Sequence, residues 1–551
     1  MYRTFVNMAV HKHIVGRRRH RAVHLKGAGK VKYTETHFVK EYEPDHEAAV
    51  ELRNGRFVDV MNGSFFDSTV RVMIKGTTIA AMPGIEGEPI DMTPDYTIDL
   101  QGKTAIPGLF NTHCHVSATG QTMLSSFKDI RLGKKHGGKQ IEKDMSECLI
   151  HGITNIRDAY VEDLGITKAM KGRIAKGEIP GPRILQSVAI GPSGSYLATF
   201  SSFIPRIMRI VLGVPVIDHG DEGAGVLEFP TDADESQVRD AVDRAIDERG
   251  AEAIKIGEER KHPVTQKSLT MMTMGQFRAL VDQARKRGLQ TLMHCTSVDS
   301  FRRGIEAGVS SISHVPGDAA LTLEDGEAFV EAGCIIEPTV SVAYGSCWKI
   351  RGEPSRDHPD MERLSEYRAN SATFAEIAEE FFIPELRRSV LNLYEKYSKG
   401  RFKMLGILDL TKTVREAANF WSQGIGNIRK LHRWGATMAL ANDGGVVPPC
   451  TPSMMDLELA LFNLFLNQEP DKMVFGGADA LKIATINSAR SMGLDEQFGT
   501  LEGGKVADIA IVDGNPFEDF RVVGSRVAAL FMDGRIVINN CGLRVEPVKK
   551  T

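Results

Sequence analysis

Short apolar runs alternate with charged, helix-forming segments across more than 300 residues of this 551-residue chain, and no other feature restricts the fold as much. The runs are "AIPGLFNTHCH", "GITNIRDA", "GPRILQSVAIG", "AEAIKIG", "LQTLMHC", "VSSISHV", "GCIIEPTV" and "GATMALAND". Amphipathic segments such as "DESQVRDAVDRAIDERG" and "TMGQFRALVDQARKRG" lie between several of them. Repeated strand–helix alternation predicts a parallel α/β sheet, and eight strands predict a (β/α)8 TIM barrel. A doubly wound sheet is the alternative, but the Gly-rich dinucleotide turn after the first strand is missing.

The flanks have another texture. Residues 49–106 read as short strands broken by turns, and "VADIAIVDGNP" and "RVAALFMDGRIVI" return to that pattern near the C-terminus. The expected organisation is a basic arm over 1–48 and a small β-sandwich built from 49–106 and 498–545. A barrel over 107–497 carries long inserts at about 191–235 and 346–430. Both inserts follow strand C-termini, where each can roof a site, decorate the surface or meet another subunit.

A net charge of −3 gives no overall field that calls for nucleic acid or membrane. Ten Lys or Arg against the single acidic Glu35 in residues 1–40 make the arm an exception, read as a solvated tail packing on its own subunit. No run of 18 apolar residues exists, so no membrane span is expected. The seven cysteines are scattered, odd in number and without a CxxC, as expected of reduced thiols in a cytoplasmic protein.

Chemistry concentrates at the ends of the apolar runs. His113 and His115 alternate with Cys114, so on a strand both imidazoles share one face and the thiol takes the other. Alone, such a pair is more often structural. His294 ends "LQTLMH", His314 follows "VSSIS", and Asp443 ends "ATMALAND". In a barrel these positions converge on the C-terminal face, and the set favours metal ligation. Lys255 in "AEAIKIG" belongs to the same pattern. A buried lysine either pairs with a carboxylate or, as a neutral amine, adds carbon dioxide to give a metal-bridging carbamate. On chemistry alone the two stand level.

This order of residues resembles the amidohydrolase superfamily of metal-dependent hydrolases. The matched pieces are "PGLFNTHCH", Lys255 in "AIKIG", His294, His314, "ANDGG", and "GTLEGGKVADIAIVDGNP" outside the barrel. Within the superfamily the chain is most similar to the imidazolonepropionase-like, prolidase-like dizinc branch that includes ochratoxinase. The resemblance implies His113, His115 and Asp443 on one metal, His294 and His314 on a second, and a carboxylated Lys255 between them. Two divalent ions, zinc by default for N/O ligands, and carbon dioxide as carbamate are the implied cofactors. Where the family often has aspartate, this chain has Asn111, which alters a supporting contact rather than a ligand.

The expected activity is hydrolysis of an amide or peptide-like C–N bond in a small molecule, an N-acyl amino acid or dipeptide. Metal lowers the pKa of bound water, and Asp443 serves as the base that passes a proton to the leaving amine. His314 or Tyr344 steadies the developing oxyanion, and Tyr344 is the candidate substrate contact. A mononuclear deaminase acting on a heteroaromatic ring and a non-catalytic barrel scaffold are the alternatives. A homo-oligomer is expected.

Overall fold

The computed structural model describes residues 33, 35–40, 42, 44–45, 47–86, 92–118, 127–161, 163–200, 219–261, 267–342, 374–398, 403–404, 408–409, 411–445, 450–467 and 474–549. Tyr344, most of the basic arm and the middle of each insert lie outside them.

The chain has a mixed α/β fold around one curled sheet of eight parallel strands, consistent with the expected barrel. In order these are Leu109–Cys114, Ile153–Asp158, Arg183–Pro192, Ala253–Gly257, Gln290–His294, Ser311–Ser313, Ile335–Glu337 and Thr437–Met438. They are called the first to eighth strands below. Most are buried along their whole length, as parallel strands covered on both faces must be. The eighth is only two residues long, but its extension returns to the first. The Thr112 N–H donates to the Leu440 carbonyl, the Asp443 N–H to the His113 carbonyl and the His115 N–H to the Gly444 carbonyl.

Local sequence explains where the helices begin. Asp234 with Gln237 and Thr273 with Gln276 form capping boxes that start the helices Glu235–Asp247 and Met274–Lys286. Their apolar faces, including Val238, Val242, Phe277 and Leu280, enter the large core cluster around the sheet. Burying each such side chain contributes roughly 1.5–3 kcal/mol.

Two further sheets draw strands from both chain ends. One pairs Val545–Pro547 with Tyr96–Asp99, and the other pairs Ile509–Val512 with Thr104–Pro107. A common apolar cluster with Val50, Leu52, Ile74, Ile98, Ile509 and Phe531 joins them. The end of the basic arm extends this assembly, because the Val39 N–H donates to the Val537 carbonyl and the Asn539 N–H to the His37 carbonyl.

The inserts part company. The first supplies an unforeseen strand, Val226–Phe229, which pairs with the third strand, and the short helix Tyr196–Phe200. Gly257 admits that helix: a Cβ there would stand 2.7 Å from Leu197 Cγ and 3.1 Å from Tyr196 Cδ1. Residues 374–398 of the second insert dock on the outer helix Phe127–Ile150, where Gln140 donates to the Phe381 carbonyl and accepts from the Ile383 N–H.

Half-buried beside that contact, Glu380 lies 3.6 Å from the Arg526 guanidinium. Burial pushes its carboxyl up to about 8 despite Arg526, with Glu147 and Asp456 adding to the rise. A folded pKa above the unfolded one stabilises the docked state fully below about pH 4.5, and the contribution is lost as pH rises through about 8. Hydrogen-exchange protection of residues 374–398 is therefore expected to fall between pH 5 and 8, and less steeply in Glu380→Gln. Equal slopes in the two proteins would refute this; Asp144, also raised to about 8 by burial, supplies the slope that remains.

Candidate metal centre

The candidate residues His113, His115, Lys255, His294, His314 and Asp443 lie at the C-terminal ends of the eight strands or just inside them, and Tyr344 lies outside the described residues. His113 and His115 point to one side of the first strand, and the buried Cys114 thiol turns away to face the Arg157 carbonyl. His115 Nε2 is 2.8 Å and His113 Nε2 3.3 Å from Asp443 Oδ1. Among the described residues, these three are the one His/Cys/Asp/Glu group with ligand atoms mutually within 4.8 Å.

His294, His314 and Lys255 stand beside this group. The His314 ring centroid is 5.3 Å from that of His113 and 4.5 Å from that of His294. Lys255 projects from the middle of the fourth strand, and its charge acts on His113, His294 and His314 alike.

Backbone strain marks the same places. His314 has φ +67°, Asp443 φ +52° and Thr339 φ +50°. Such conformations cost about 1–3 kcal/mol each for side chains with a Cβ, and they collect at sites where geometry serves function.

The electrostatics follow from burial and close partners. Burial alone would raise Asp443, but hydrogen bonds from His113 and His115 outweigh it and hold the carboxyl well below its usual range. Burial lowers His314 to about 3 and takes His294 well below its ordinary value, so both are neutral and able to donate a lone pair. Burial brings Lys255 down to about 7.

Supporting contacts fix which nitrogen faces the centre. His115 Nδ1 donates to the Tyr160 carbonyl at 2.8 Å, and His314 Nδ1 meets Thr339 Oγ1 at 2.7 Å. A metal-binding imidazole is held in this way through its remote nitrogen. Asn111 also supports: its amide donates to Asn442 Oδ1 and the Pro452 carbonyl, and its oxygen accepts from the His113 N–H.

The donor set fits a divalent metal. Lys255 Nζ and His294 Nε2 are buried without hydrogen-bond partners, which is costly unless another group completes them. Nitrogen and carboxylate donors with neutral imidazoles suit zinc-type ions.

Sequence reasoning missed two features. Tyr196, from the first insert, stacks on His294 with centroids 4.5 Å apart. Beneath the histidines, Glu337 and Arg157 form a fully buried ion pair. The glutamate in "CIIEPTV" was the available signal, because a charge inside an apolar strand must find a partner.

Comparison with known proteins agrees with this architecture. Ochratoxinase from A. niger superposes with a TM-score of 0.60 at 18% identity, covering 90% of this chain and 96% of that one. A Xaa-Pro dipeptidase with methionine bound in its active site gives 0.57 at 19% identity, covering 89% and 99%. At these identities the likeness concerns the fold. A 5-methylthioadenosine/S-adenosylhomocysteine deaminase of Caldanaerobacter subterraneus subsp. tengcongensis is 25% identical over 208 residues. That match takes in 30% of this chain and about half, 47%, of the deaminase. The model of the amidohydrolase family matches residues 104–537, from the strand leading into the barrel to the C-terminal sheet, and the chain belongs to that family.

Proposed function

We propose that the chain is a metal-dependent hydrolase that cleaves an amide or peptide-like C–N bond of a small molecule, of the N-acyl amino acid or dipeptide type, at a two-metal centre. The observation that carries the reading is Lys255, a buried and unpartnered amine among four histidines and Asp443. An ammonium there would repel a metal, whereas a carbamate would supply anionic oxygens to metal held by His113, His115, Asp443, His294 and His314. A bound divalent metal would supply Lewis acidity at the scissile carbonyl and a water of lowered pKa.

The chain's own groups divide the remaining work. Asp443, ionised and strained into position, takes a proton at its carboxylate and returns it to the leaving amine. His314, neutral and oriented through Thr339, can donate to negative charge developing on the carbonyl oxygen only when it carries a proton on Nε2, so as a ligand it serves by placement. The same reading takes 107–497 as a (β/α)8 barrel and the two flanking sheets as one β-sandwich, in a cytoplasmic homo-oligomer.

A mononuclear deaminase is the second reading, favoured by the local similarity to the deaminase above and by the compact His113, His115 and Asp443 group. Metal analysis with product identification separates the two. Two metal equivalents and a carboxylic acid product from N-acyl amino acids or dipeptides are expected. One equivalent, with ammonia released and no carboxylate formed, would establish the deaminase instead.

A further inference from the structure

Four imidazoles line the centre, and the remote nitrogens of three of them face different kinds of oxygen. His115 Nδ1 meets a backbone carbonyl and His314 Nδ1 a threonine hydroxyl. His113 Nδ1 faces a carboxylate: Glu337 Oε2 lies 3.8 Å away, too far for a formed hydrogen bond but close in a dry interior.

Glu337 is fixed on all its other sides. It ends the seventh strand with no solvent exposure, and Arg157 and the Ser491 hydroxyl hold Oε1. The Ser313 hydroxyl donates to Oε2 at 3.0 Å. Arg157 is fixed in turn, with Nε on the Thr112 carbonyl at 2.8 Å and Nη1 on the Ser491 carbonyl at 2.9 Å. Four strand segments and the helix Ile486–Met492 thus converge on one carboxylate beneath His113.

A buried Arg–Glu pair contributes little net stability, because desolvation offsets its attraction. Packing alone therefore gives no reason for charge at this depth. Next to an imidazole, an ionised carboxylate favours the tautomer with hydrogen on the near nitrogen and leaves the lone pair on the far one. For His113 the far nitrogen is Nε2, which faces Asp443.

We propose that Glu337, paired with Arg157, is a positioning residue that fixes His113 as the Nδ1–H tautomer and strengthens its Nε2 as a metal ligand. The role rests on the reading of His113 as a ligand.

The test uses full-length, metal-loaded protein. In Glu337→Gln, chelator competition is expected to show one metal equivalent bound about 10- to 100-fold more weakly, with Glu337→Asp recovering part of the loss. Ser491→Ala, which removes a hydrogen bond but leaves the charge facing His113, should bind both equivalents within about threefold of the parent protein. A merely structural role would weaken both variants in proportion to their loss of thermal stability and would overturn the proposal. Because the Gln variant leaves Arg157 unpaired and can fail to fold, the wild-type protein supplies a second readout. ¹⁵N spectra of histidine-labelled protein should show the His113 proton on Nδ1, and a proton on Nε2 overturns the proposal. His113→Ala distinguishes the two levels. If it binds metal like the parent, the ligand reading itself fails; if it loses an equivalent while Glu337→Gln does not, only the positioning role fails.

Discussion

Asp443→Asn is expected to lower kcat by about 10³-fold or more while leaving the fold intact. The carboxylate brings a negative charge to the centre that asparagine cannot reproduce. Its Oδ1 lies 2.8 Å from His115 Nε2 and 3.3 Å from His113 Nε2, and those contacts hold it ionised despite burial. An amide of the same shape keeps the φ +52° turn and the backbone bond from the Asp443 N–H to the His113 carbonyl, so the strand end should survive. What disappears is the negative charge, and with it, on the proposed mechanism, both proton transfer and one anionic ligand. Steady-state kinetics with metal analysis would show it: kcat falls steeply, KM changes little, and one metal equivalent is weakened. A variant with kcat within tenfold of the parent would remove Asp443 from the chemistry.

The strand-end residues were legible because two periodicities agree. Alternation along "NTHCH" places His113 and His115 on one face, and a parallel barrel gathers strand C-termini at one end. That argument reaches His294, His314 and Asp443 without any knowledge of contacts. It extends even to Asp443, although the eighth strand covers only Thr437–Met438 and the remaining residues are held by bonds to the first strand.

What surrounds those residues was not legible. Whether Glu337 points inward or outward depends on the register between the seventh strand and its neighbours, which no local pattern encodes. Arg157 posed the same difficulty inside "GITNIRDA", where a long cationic side chain normally reaches solvent. Tyr196 depends on a close approach that the lack of a side chain at Gly257 permits, between segments some 60 residues apart in sequence. The strand Val226–Phe229 was hidden because the Gly-rich, acidic stretch before it reads as loop.

Lys255 gives the other large effect, with opposite consequences for stability and activity. Its amine is buried with no hydrogen-bond partner, an arrangement that costs about 1–3 kcal/mol for a polar group and more for a charged one. In metal-free protein, Lys255→Met keeps most of the stem volume and removes that cost, so the melting temperature should stay level or rise. In metal-loaded protein the same change removes the group proposed to bridge two metals. Both Lys255→Met and Lys255→Ala are expected to lose kcat on the order of 10²- to 10³-fold, the scale of losing one preorganised charge-stabilising group. Lys255→Ala also opens space, so a short carboxylate such as propionate should restore part of the activity, and Lys255→Met, with the space filled, should not respond. The wild-type lysine should take up ¹³C-labelled carbon dioxide together with metal, seen as a carbamate carbon resonance. A simple lysine–carboxylate pair predicts the reverse pattern: lower stability in both variants, no rescue and no carbamate signal. The charges of Glu337 and Asp443 act on Lys255 through space, and its nitrogen has no hydrogen bond to either.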